Sequence, residues 1–230
     1  MTDTPFRIGF LVFPDITQLD MTGPWEVLSK LPHSQTFLVW KTREPVVAGG
    51  GLKLVPDMTY AECPQLDLVC VPGGSGMNPL LEDEETLAFL RRQAAGARYV
   101  TSVCTGSLVL GAAGLLQGKR AATHWLSMDM LRDFGATPVH ERVVVDGNII
   151  TGGGVTAGID FGLKVAAEIA GEEVARGIQL AIEYDPHPPF NAGSPKGAGP
   201  ELTARTMQMA SVRQAQRAEA VKRAAARLNA

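Results

Sequence analysis

A cysteine stands where a predicted strand gives way to a predicted helix, a position from which enzymes present nucleophiles. Residues 99–103 are β-branched, aromatic or small, and apolar residues recur at helical spacing from Thr105 onward. Cys104 therefore lies at the corner, where its side chain stands clear of the sheet and faces the first amides of the helix. The positive end of the helix dipole favours a thiolate over a thiol. We predict that Cys104 is a nucleophile.

The alternative for any single cysteine is a buried structural side chain, because free cysteine usually packs as a small apolar residue. We predict that role for Cys70, which lies within the apolar run 66–71, whereas Cys63 lies in a loop before Pro64. The three cysteines show no CxxC spacing. We therefore expect neither a disulfide framework nor a metal site of the structural zinc type.

An acidic residue is predicted to reach the same region. A first, central parallel strand spans residues 6–12, and residues 22–24, Thr-Gly-Pro, have the composition of a helix cap and first turn. Asp20 then lies just before that helix, near the carboxyl end of the strand, where open α/β sheets bind ligands. A carboxylate at this edge would face the same crevice as Cys104. The alternative is that Asp20 only caps the helix or a turn.

Two glycine-rich loops also follow predicted strands. Gly73 and Gly74 come after the apolar run 66–71, and Gly153 lies in a triple-glycine loop that opens another helix. Glycine lets backbone amides approach a ligand closely, because no Cβ intervenes. The first loop lacks the lysine of a phosphate-binding loop. We therefore favour an oxyanion hole facing Cys104 over a phosphate or dinucleotide cradle.

Among the four histidines, His124 is the one in a position to serve a cysteine nucleophile. The sequence identifies no acidic partner for it, and a histidine beside a tryptophan is usually a buried group with its hydrogen bonds satisfied. We assign His124 a supporting or structural role.

The elements that would hold these residues alternate between strands and helices along most of the chain. Strands are predicted at 6–12, 36–40, 66–71 and 99–103, with a hairpin at 46–55 on the sheet margin and another at 141–151. Helices are predicted at 82–97, 126–134, 156–170 and 172–183. This order predicts an α/β fold with a mostly parallel central sheet.

The chain of 230 residues, 45% hydrophobic and 20% charged, suits one α/β domain with a full core. We place that domain at residues 1–195 and a C-terminal basic helical extension at residues 196–230, with one helix over 202–228. From Glu201 onward there are six Lys or Arg and two Glu, which give a net charge of +4. Because the whole chain has a net charge of −3, the preceding 200 residues have a net charge of −7. Residues 184–200 are rich in Pro and Gly and are predicted to be extended, lying across a partner subunit.

Composition also limits the partners. No apolar run reaches the roughly eighteen residues of a membrane span, and residues 1–5 lack the features of a signal peptide. We therefore expect a cytoplasmic protein with no membrane partner. A net charge of −3 gives no general attraction to nucleic acid, so we expect no nucleic-acid partner.

Six segments carry a family resemblance: residues 10–14 (Phe-Leu-Val-Phe-Pro), 18–24 (Gln-Leu-Asp-Met-Thr-Gly-Pro), 71–74 (Val-Pro-Gly-Gly), 102–106 (Ser-Val-Cys-Thr-Gly), 122–125 (Ala-Thr-His-Trp) and 151–154 (Thr-Gly-Gly-Gly). Together they resemble the ThiJ/PfpI superfamily, which is related to class I glutamine amidotransferases. The similarity spans about residues 6–195 and is strongest to the isocyanide hydratases, which add water to an isocyanide to give an N-substituted formamide. It implies a flavodoxin-like three-layer sandwich, a homodimer and no cofactor.

The resemblance also implies roles for individual residues. Cys104 would be the nucleophile, Asp20 the acid beside it where many relatives have Glu, and Thr105 a hydroxyl and an amide next to the thiolate. Gly74 would add an amide facing the thiolate. Relatives of the peptidase or deglycase type often have His directly after the cysteine, and the threonine at position 105 disfavours that Cys-His dyad.

Two other functions share these segments. Residues 104–106 and 122–125 also resemble the sensor domain of AraC-type transcription regulators, which carry two further helix-turn-helix units. A single terminal helix does not supply those units. A glyoxalase- or deglycase-type enzyme, or a redox-sensing thiol, would also use an exposed cysteine of low pKa.

Overall fold

The computed structural model of the chain describes residues 4–228. Its strands are β1 Phe6–Leu11, β2 Ser34–Trp40, β3 Val46–Val47, β4 Lys53–Leu54, β5 Met58–Thr59, β6 Leu68–Val71, β7 Tyr99–Val103, β8 Arg120–Ala121, β9 Thr137–Pro138, β10 Val143–Asp146 and β11 Ile149–Gly152. Its helices are α1 Gln18–Leu28, α2 Met77–Leu80, α3 Glu84–Gly96, α4 Gly106–Ala112, α5 Ala157–Ala170, α6 Glu172–Ala181 and α7 Pro195–Leu228, with a 3-10 helix at Trp125–Phe134. No helix within these residues is long and apolar enough to cross a membrane.

Across residues 4–228, seven strands form the main sheet in the order β10-β11-β7-β6-β1-β2-β5. Its strands pair in parallel except for β10 and β11, which form an antiparallel hairpin. β7 lies between β6 and β11, so the loops that follow these three strands leave the sheet at the same edge. The strand order therefore brings Cys104, Gly73 and Gly153 together.

Helices complete the three-layer α/β fold, and the predicted fold class is confirmed. One layer contains α1, α5 and α6, and the other contains α3, α4, the 3-10 helix and α7. The central strands are covered on both sides, because every residue of β6 is buried and β7 is buried from Val100 to Val103. Cys70 is fully buried in this core, as predicted.

The predicted start of the first helix is wrong, because α1 begins at Gln18 with Thr17 as its N-cap residue. Asp20 lies within the first helical turn, not before the helix, and Pro24 is inside the helix. A proline there removes one backbone hydrogen bond. The side chain of Pro24 instead packs against Gly158 of α5. If Gly158 had a Cβ, that atom would lie only 3.0 Å from the Cδ of Pro24. Tertiary packing thus outweighs the local capping signal.

Two further boundaries differ from the prediction. The hairpin at 46–55 forms its own two-stranded sheet of β3 and β4, and β5 takes the margin of the main sheet. The segment predicted to be extended up to residue 200 becomes helical at Pro195, and a break at Gly199, with φ 77°, separates that turn from the long part of α7. Glycine adopts this left-handed φ without the penalty that a Cβ imposes.

The C-terminal helix packs on the α/β core. Val221 is completely buried, and Ala220 and Ala224 are buried beside it. At the surface, the guanidinium of Arg223 donates two hydrogen bonds to the carboxylate of Glu82. α7 also contacts α4 and the 3-10 helix, so it covers the region of α4, the helix that follows β7.

Candidate active site

Cys104 forms the sharp corner between β7 and α4. Its φ is +56°, a left-handed value that costs a non-glycine residue of the order of 1 kcal/mol. Its N–H lies 3.1 Å from the carbonyl of Gly152 and 2.8 Å from that of Gly153, and its carbonyl accepts from the hydroxyls of Thr123 and Ser107. These hydrogen bonds hold the backbone in its strained conformation. The strained turn fixes the position of the sulfur.

Two backbone amides face the Cys104 sulfur, those of Thr105 and Val155. Both favour the thiolate. Burial, together with the charge of the neighbouring Asp20 carboxyl, nevertheless raises the pKa of the Cys104 thiol. The amide at the start of the helix therefore acts in the predicted direction, but desolvation in this buried corner is the larger effect.

Asp20 is fully buried beside Cys104. Its Oδ2 accepts a hydrogen bond of 3.0 Å from the N–H of Gly73, and its Oδ1 has no hydrogen-bond partner within the part of the chain that the structure describes. Burial raises the pKa of Asp20 to about 7, although its interactions with the Cys104 thiol and the Gly73 N–H act in the opposite direction. The carboxyl can therefore both hold and release a proton near neutral pH.

The thiol and the carboxyl behave as one acid–base unit. Two negative charges side by side in a buried site are strongly disfavoured, so the pair retains at least one proton between its two members at neutral pH. Moving that proton to Asp20 leaves a thiolate on Cys104, which the amides of Thr105 and Val155 stabilise.

The glycines after β6 hold the reactive side chains in place. The N–H of Gly74 donates to Thr105 Oγ1 at 3.2 Å, while the N–H of Gly73 is used by Asp20. A Cβ built on Gly73 would lie 2.6 Å from both the N and the Oγ1 of Thr105 and 2.9 Å from Asp20 Oδ2. Position 73 therefore has no room for a larger residue.

The amides of the predicted oxyanion hole, those of Gly73, Gly74 and Gly153, all donate to acceptors within the protein. The first two amides are used by Asp20 and Thr105, and the N–H of Gly153 donates to the carbonyl of Arg142 at 2.8 Å. The amide of Val155 faces the sulfur instead. The sequence contains no side-chain motif for the Val155 donor, because almost any residue supplies a backbone N–H. The one sequence feature that points to it is the triple-glycine loop directly before it.

His124 supports the site as a neutral side chain. Its Nδ1 accepts the N–H of Leu126 at 3.3 Å and so caps the 3-10 helix. Burial and the positive charges of Arg217 and Arg213 lower the pKa of His124 to about 4. The imidazole is neutral at pH 7, and its proton is on Nε2, because Nδ1 is the acceptor.

A cavity of about 190 Å³ gives access to Cys104. It is lined by side chains and backbone from six parts of the chain: Thr17, Gly74, Ser75, Cys104, Thr105, His124, Val155, Arg213, Gln214 and Arg217. Pockets for drug-sized ligands are roughly 300–1,000 Å³, so this one suits a small molecule. No group of three or more His, Cys, Asp and Glu side chains between residues 4 and 228 is arranged to hold a metal ion.

The contribution of α7 to the cavity was not predicted from the sequence. Arg217 is 4% exposed, and its guanidinium donates from Nε to Asn78 Oδ1 and from Nη1 to Ser127 Oγ, both at 3.1 Å. Arg217 is one of several basic residues in an alanine-rich helix. The spacing of these residues does not show that Arg217 points inward, whereas Arg213, one turn earlier, is exposed.

Comparison with known proteins agrees with this architecture. Residues 6–168 match the model of the DJ-1/PfpI family. The chain belongs to the DJ-1/PfpI family. Within this family, the chain is 56% identical over 223 residues to isonitrile hydratase from Pseudomonas putida, a match that covers 97% of this chain and 98% of the relative.

The chain is also similar to two further proteins. A crystal structure of a ThiJ/PfpI family protein from Pseudomonas syringae superposes with a TM-score of 0.92 and 42% identity, covering 94% of this chain and 90% of the other. The HTH-type transcriptional regulator GbdR from Pseudomonas aeruginosa is 30% identical over 190 residues, which is 79% of this chain and 51% of the regulator.

Proposed function

We propose that this DJ-1/PfpI protein is an isocyanide hydratase, an enzyme that adds water to an isocyanide to form an N-substituted formamide. Isonitrile is a synonym of isocyanide, so the relative from Pseudomonas putida carries the same name, and its 56% identity extends over almost the whole of both chains. The observation that carries the chemistry is the buried pair of Cys104 and Asp20, a nucleophile with a proton donor in direct interaction.

In the first half of the reaction, Cys104 acts as a thiolate and Asp20 holds the proton. The sulfur attacks the terminal carbon of the isocyanide, and a C–S bond forms while negative charge develops on that carbon. Asp20 transfers its proton to the same carbon. The product is a thioimidate on Cys104, and Asp20 is left as a carboxylate.

In the second half, the Asp20 carboxylate takes a proton from water as the water oxygen bonds to the thioimidate carbon, and this proton passes to nitrogen. The tetrahedral adduct then collapses. Its hydroxyl proton goes to Asp20, the C–S bond breaks, and the formamide leaves with Cys104 again a thiolate. Oδ1 of Asp20, which has no partner among residues 4–228, is the oxygen free to carry these protons.

The remaining roles follow from position. The amides of Thr105 and Val155 stabilise the thiolate as attacking and leaving group, and Gly73 and Gly74 hold Asp20 and Thr105. The reaction is a cysteine-dependent hydro-lyase reaction that uses only the small isocyanide and water. A homodimer in the cytoplasm, acting without a cofactor and without a nucleic-acid or membrane partner, stays a prediction from the sequence.

The proposal is tested with purified protein and cyclohexyl isocyanide, following formamide formation. We expect turnover by the wild type and a loss of at least about a thousandfold in Cys104→Ala and Cys104→Ser, the scale seen when a nucleophile is removed. Cys63→Ala is the matched control and should keep its activity, because Cys63 lies in a loop outside the cavity. Unchanged turnover by Cys104→Ala would refute the mechanism.

A ligand-sensing domain is the second candidate, and the 30% identity to the regulator GbdR supports it. A sensor binds its ligand at the same cavity without consuming it. Incubation with cyclohexyl isocyanide and, in parallel, with methylglyoxal separates the candidates. Consumption of isocyanide alone supports the hydratase, consumption of methylglyoxal supports a glyoxalase-type enzyme, and consumption of neither favours the sensor.

A further inference from the structure

The active-site cavity has a buried cation on its wall. Arg217 is 4% exposed and reaches from α7 into the cavity that Cys104 also lines. Its two hydrogen-bond acceptors are the neutral side chains of Asn78 and Ser127. No carboxylate among residues 4–228 forms an ion pair with it; the charged groups that act on it are those of Cys104 and Arg213.

A buried guanidinium without a carboxylate is an unusual and costly arrangement. Removing a charge from water is unfavourable unless an opposite charge or several hydrogen bonds replace the lost hydration. Arginine has five N–H donors, and the two protein acceptors of Arg217 use only two of them. The remaining donors include both N–H groups of Nη2, so the guanidinium keeps the capacity to bind an anion.

The other groups around the cavity add to this preference. Arg213 lies at its exposed mouth, and His124 is neutral with Nδ1 already occupied. The one acidic group in the reaction centre, Asp20, is committed to Gly73 and Cys104. A purely apolar substituent would leave the donors of Arg217 facing carbon, whereas a carboxylate would accept from them.

We propose that Arg217 is a specificity-determining residue that binds a carboxylate on the substituent of the isocyanide, so that the preferred substrates are small isocyanides with an anionic group. This inference rests on the proposed hydratase function and adds the class of substrate. The isocyanide carbon lies at Cys104, and the carboxylate accepts hydrogen bonds from the guanidinium of Arg217 in the same cavity. Arg213 attracts the anion to the mouth.

The test compares two isosteric substrates, isocyanoacetate, which is an anion, and isocyanoacetamide, which is neutral. We expect the wild type to have a higher kcat/KM for isocyanoacetate. In Arg217→Gln the ratio of the two kcat/KM values should fall by roughly ten- to a hundredfold, mainly through KM for the anion, because a charge-assisted hydrogen bond is lost. Arg217→Lys keeps the charge and should retain part of the preference.

Arg205→Gln is the matched control, because Arg205 is exposed on the same helix and does not line the cavity. It should leave both the activity and the ratio at wild-type values. Turnover of isocyanoacetamide by each variant shows that the protein is folded. A wild-type preference for the amide, or an equal loss on both substrates in Arg217→Gln, would overturn the carboxylate site while leaving the hydratase intact. Consumption of neither isocyanide by the wild type would overturn both.

Discussion

Cys104 and Asp20 depend on each other for their protonation states. Burial disfavours the charged form of each group, and the two charges also repel each other. Transfer of the thiol proton to Asp20 relieves this conflict, because it forms the thiolate and leaves Asp20 protonated as a general acid. A single proton shift therefore prepares both the nucleophile and the acid.

Removal of the acid should stop the reaction without removing the nucleophile. In Asp20→Asn we expect kcat to fall by about 10²–10⁴-fold, the usual contribution of a positioned general acid or base. The asparagine side chain still accepts the Gly73 N–H, so the loop after β6 keeps its position. Steady-state kinetics with cyclohexyl isocyanide measure the loss, and iodoacetamide labelling checks that Cys104 remains reactive. Activity within threefold of the wild type would exclude Asp20 as the proton carrier.

The same substitution should change how stability depends on pH. The pKa of Asp20 is about 7 in the folded protein and close to 3.8 when unfolded, so the folded state binds this proton more tightly. Its contribution to stability is complete below pH 4, declines as pH rises to 7, and is constant above that. The free energy of unfolding of Asp20→Asn should therefore exceed that of the wild type increasingly between pH 4 and pH 7, by up to about 4 kcal/mol.

Urea unfolding of both proteins at pH 4.5 and pH 8 measures this difference. Groups that do not interact with Asp20 affect both proteins equally and cancel in the comparison. A difference that is independent of pH would mean that the Asp20 carboxyl has an ordinary pKa in the folded state.

At the level of elements, the loop after β6 connects the reactive groups. It follows the strand that pairs with both β1 and β7, so it reaches the first turn of α1 on one side and the start of α4 on the other. Gly73 touches both Asp20 and Thr105, and the bridge between Ile16 and Gly74 ties the loop to the segment before α1. A change in this loop therefore moves the Asp20 carboxyl and the Thr105 amide, which faces the Cys104 sulfur, at the same time.

Gly73→Ala should damage catalysis more than folding. The new Cβ would lie 2.6 Å from Thr105 N, so Thr105 or Asp20 must move. We expect kcat/KM to fall by about a hundredfold, because a displacement of the order of 1 Å in reacting groups has that effect. Destabilisation should be about 1–3 kcal/mol, the range for overpacking. Activity assays and urea unfolding give the two values.

Gly177→Ala is the matched control for this prediction. It lies in α6, and a Cβ there meets nothing within 4 Å. It should keep full activity and gain up to about 1 kcal/mol of stability, as alanine favours a helix over glycine. Equal activity of the two variants would show that the loop tolerates a side chain at position 73.

At the scale of the whole molecule, α7 joins the active site to an exposed apolar surface. Arg217 and Val221 face inward, whereas Met209 and Val212 on the outer side are 83% and 71% exposed. Exposed apolar side chains that are close together on one helix are typical of protein–protein contacts. This surface fits the homodimer that the family resemblance implies.

We expect the wild type to sediment at about twice its chain mass of 24.5 kDa. The double substitution Met209→Glu and Val212→Glu should shift it to the monomer, because it places charges in the contact. Val55→Glu, at a residue 59% exposed on the β3–β4 hairpin, is the control and should leave the dimer unchanged. Sedimentation of the wild type as a monomer would exclude the predicted homodimer.

Much of the fold could be predicted because its signals are local. The change of hydrophobic period at residue 104 predicted the strand-to-helix corner, and the buried apolar runs predicted β1, β6 and β7. The start of α1 could not be predicted correctly, since its real N-cap, Thr17, carries a weaker local signal than the Thr-Gly-Pro sequence at 22–24. Pro24 lies inside the helix and packs against α5, a contact that the local sequence does not reveal.

The sequence by itself therefore determined that Cys104 occupies a turn suited to a nucleophile, that Asp20 belongs to the same sheet edge, and that glycines surround them. Only the tertiary structure decided which amides face the sulfur, that burial opposes the thiolate, and that Arg217 lies on the cavity wall. The physical reason is the distance along the chain over which each effect operates. Hydrophobic periodicity and turn propensity depend on residues that are close in sequence. Desolvation and the direction of a backbone amide depend on strands and helices that are distant in sequence.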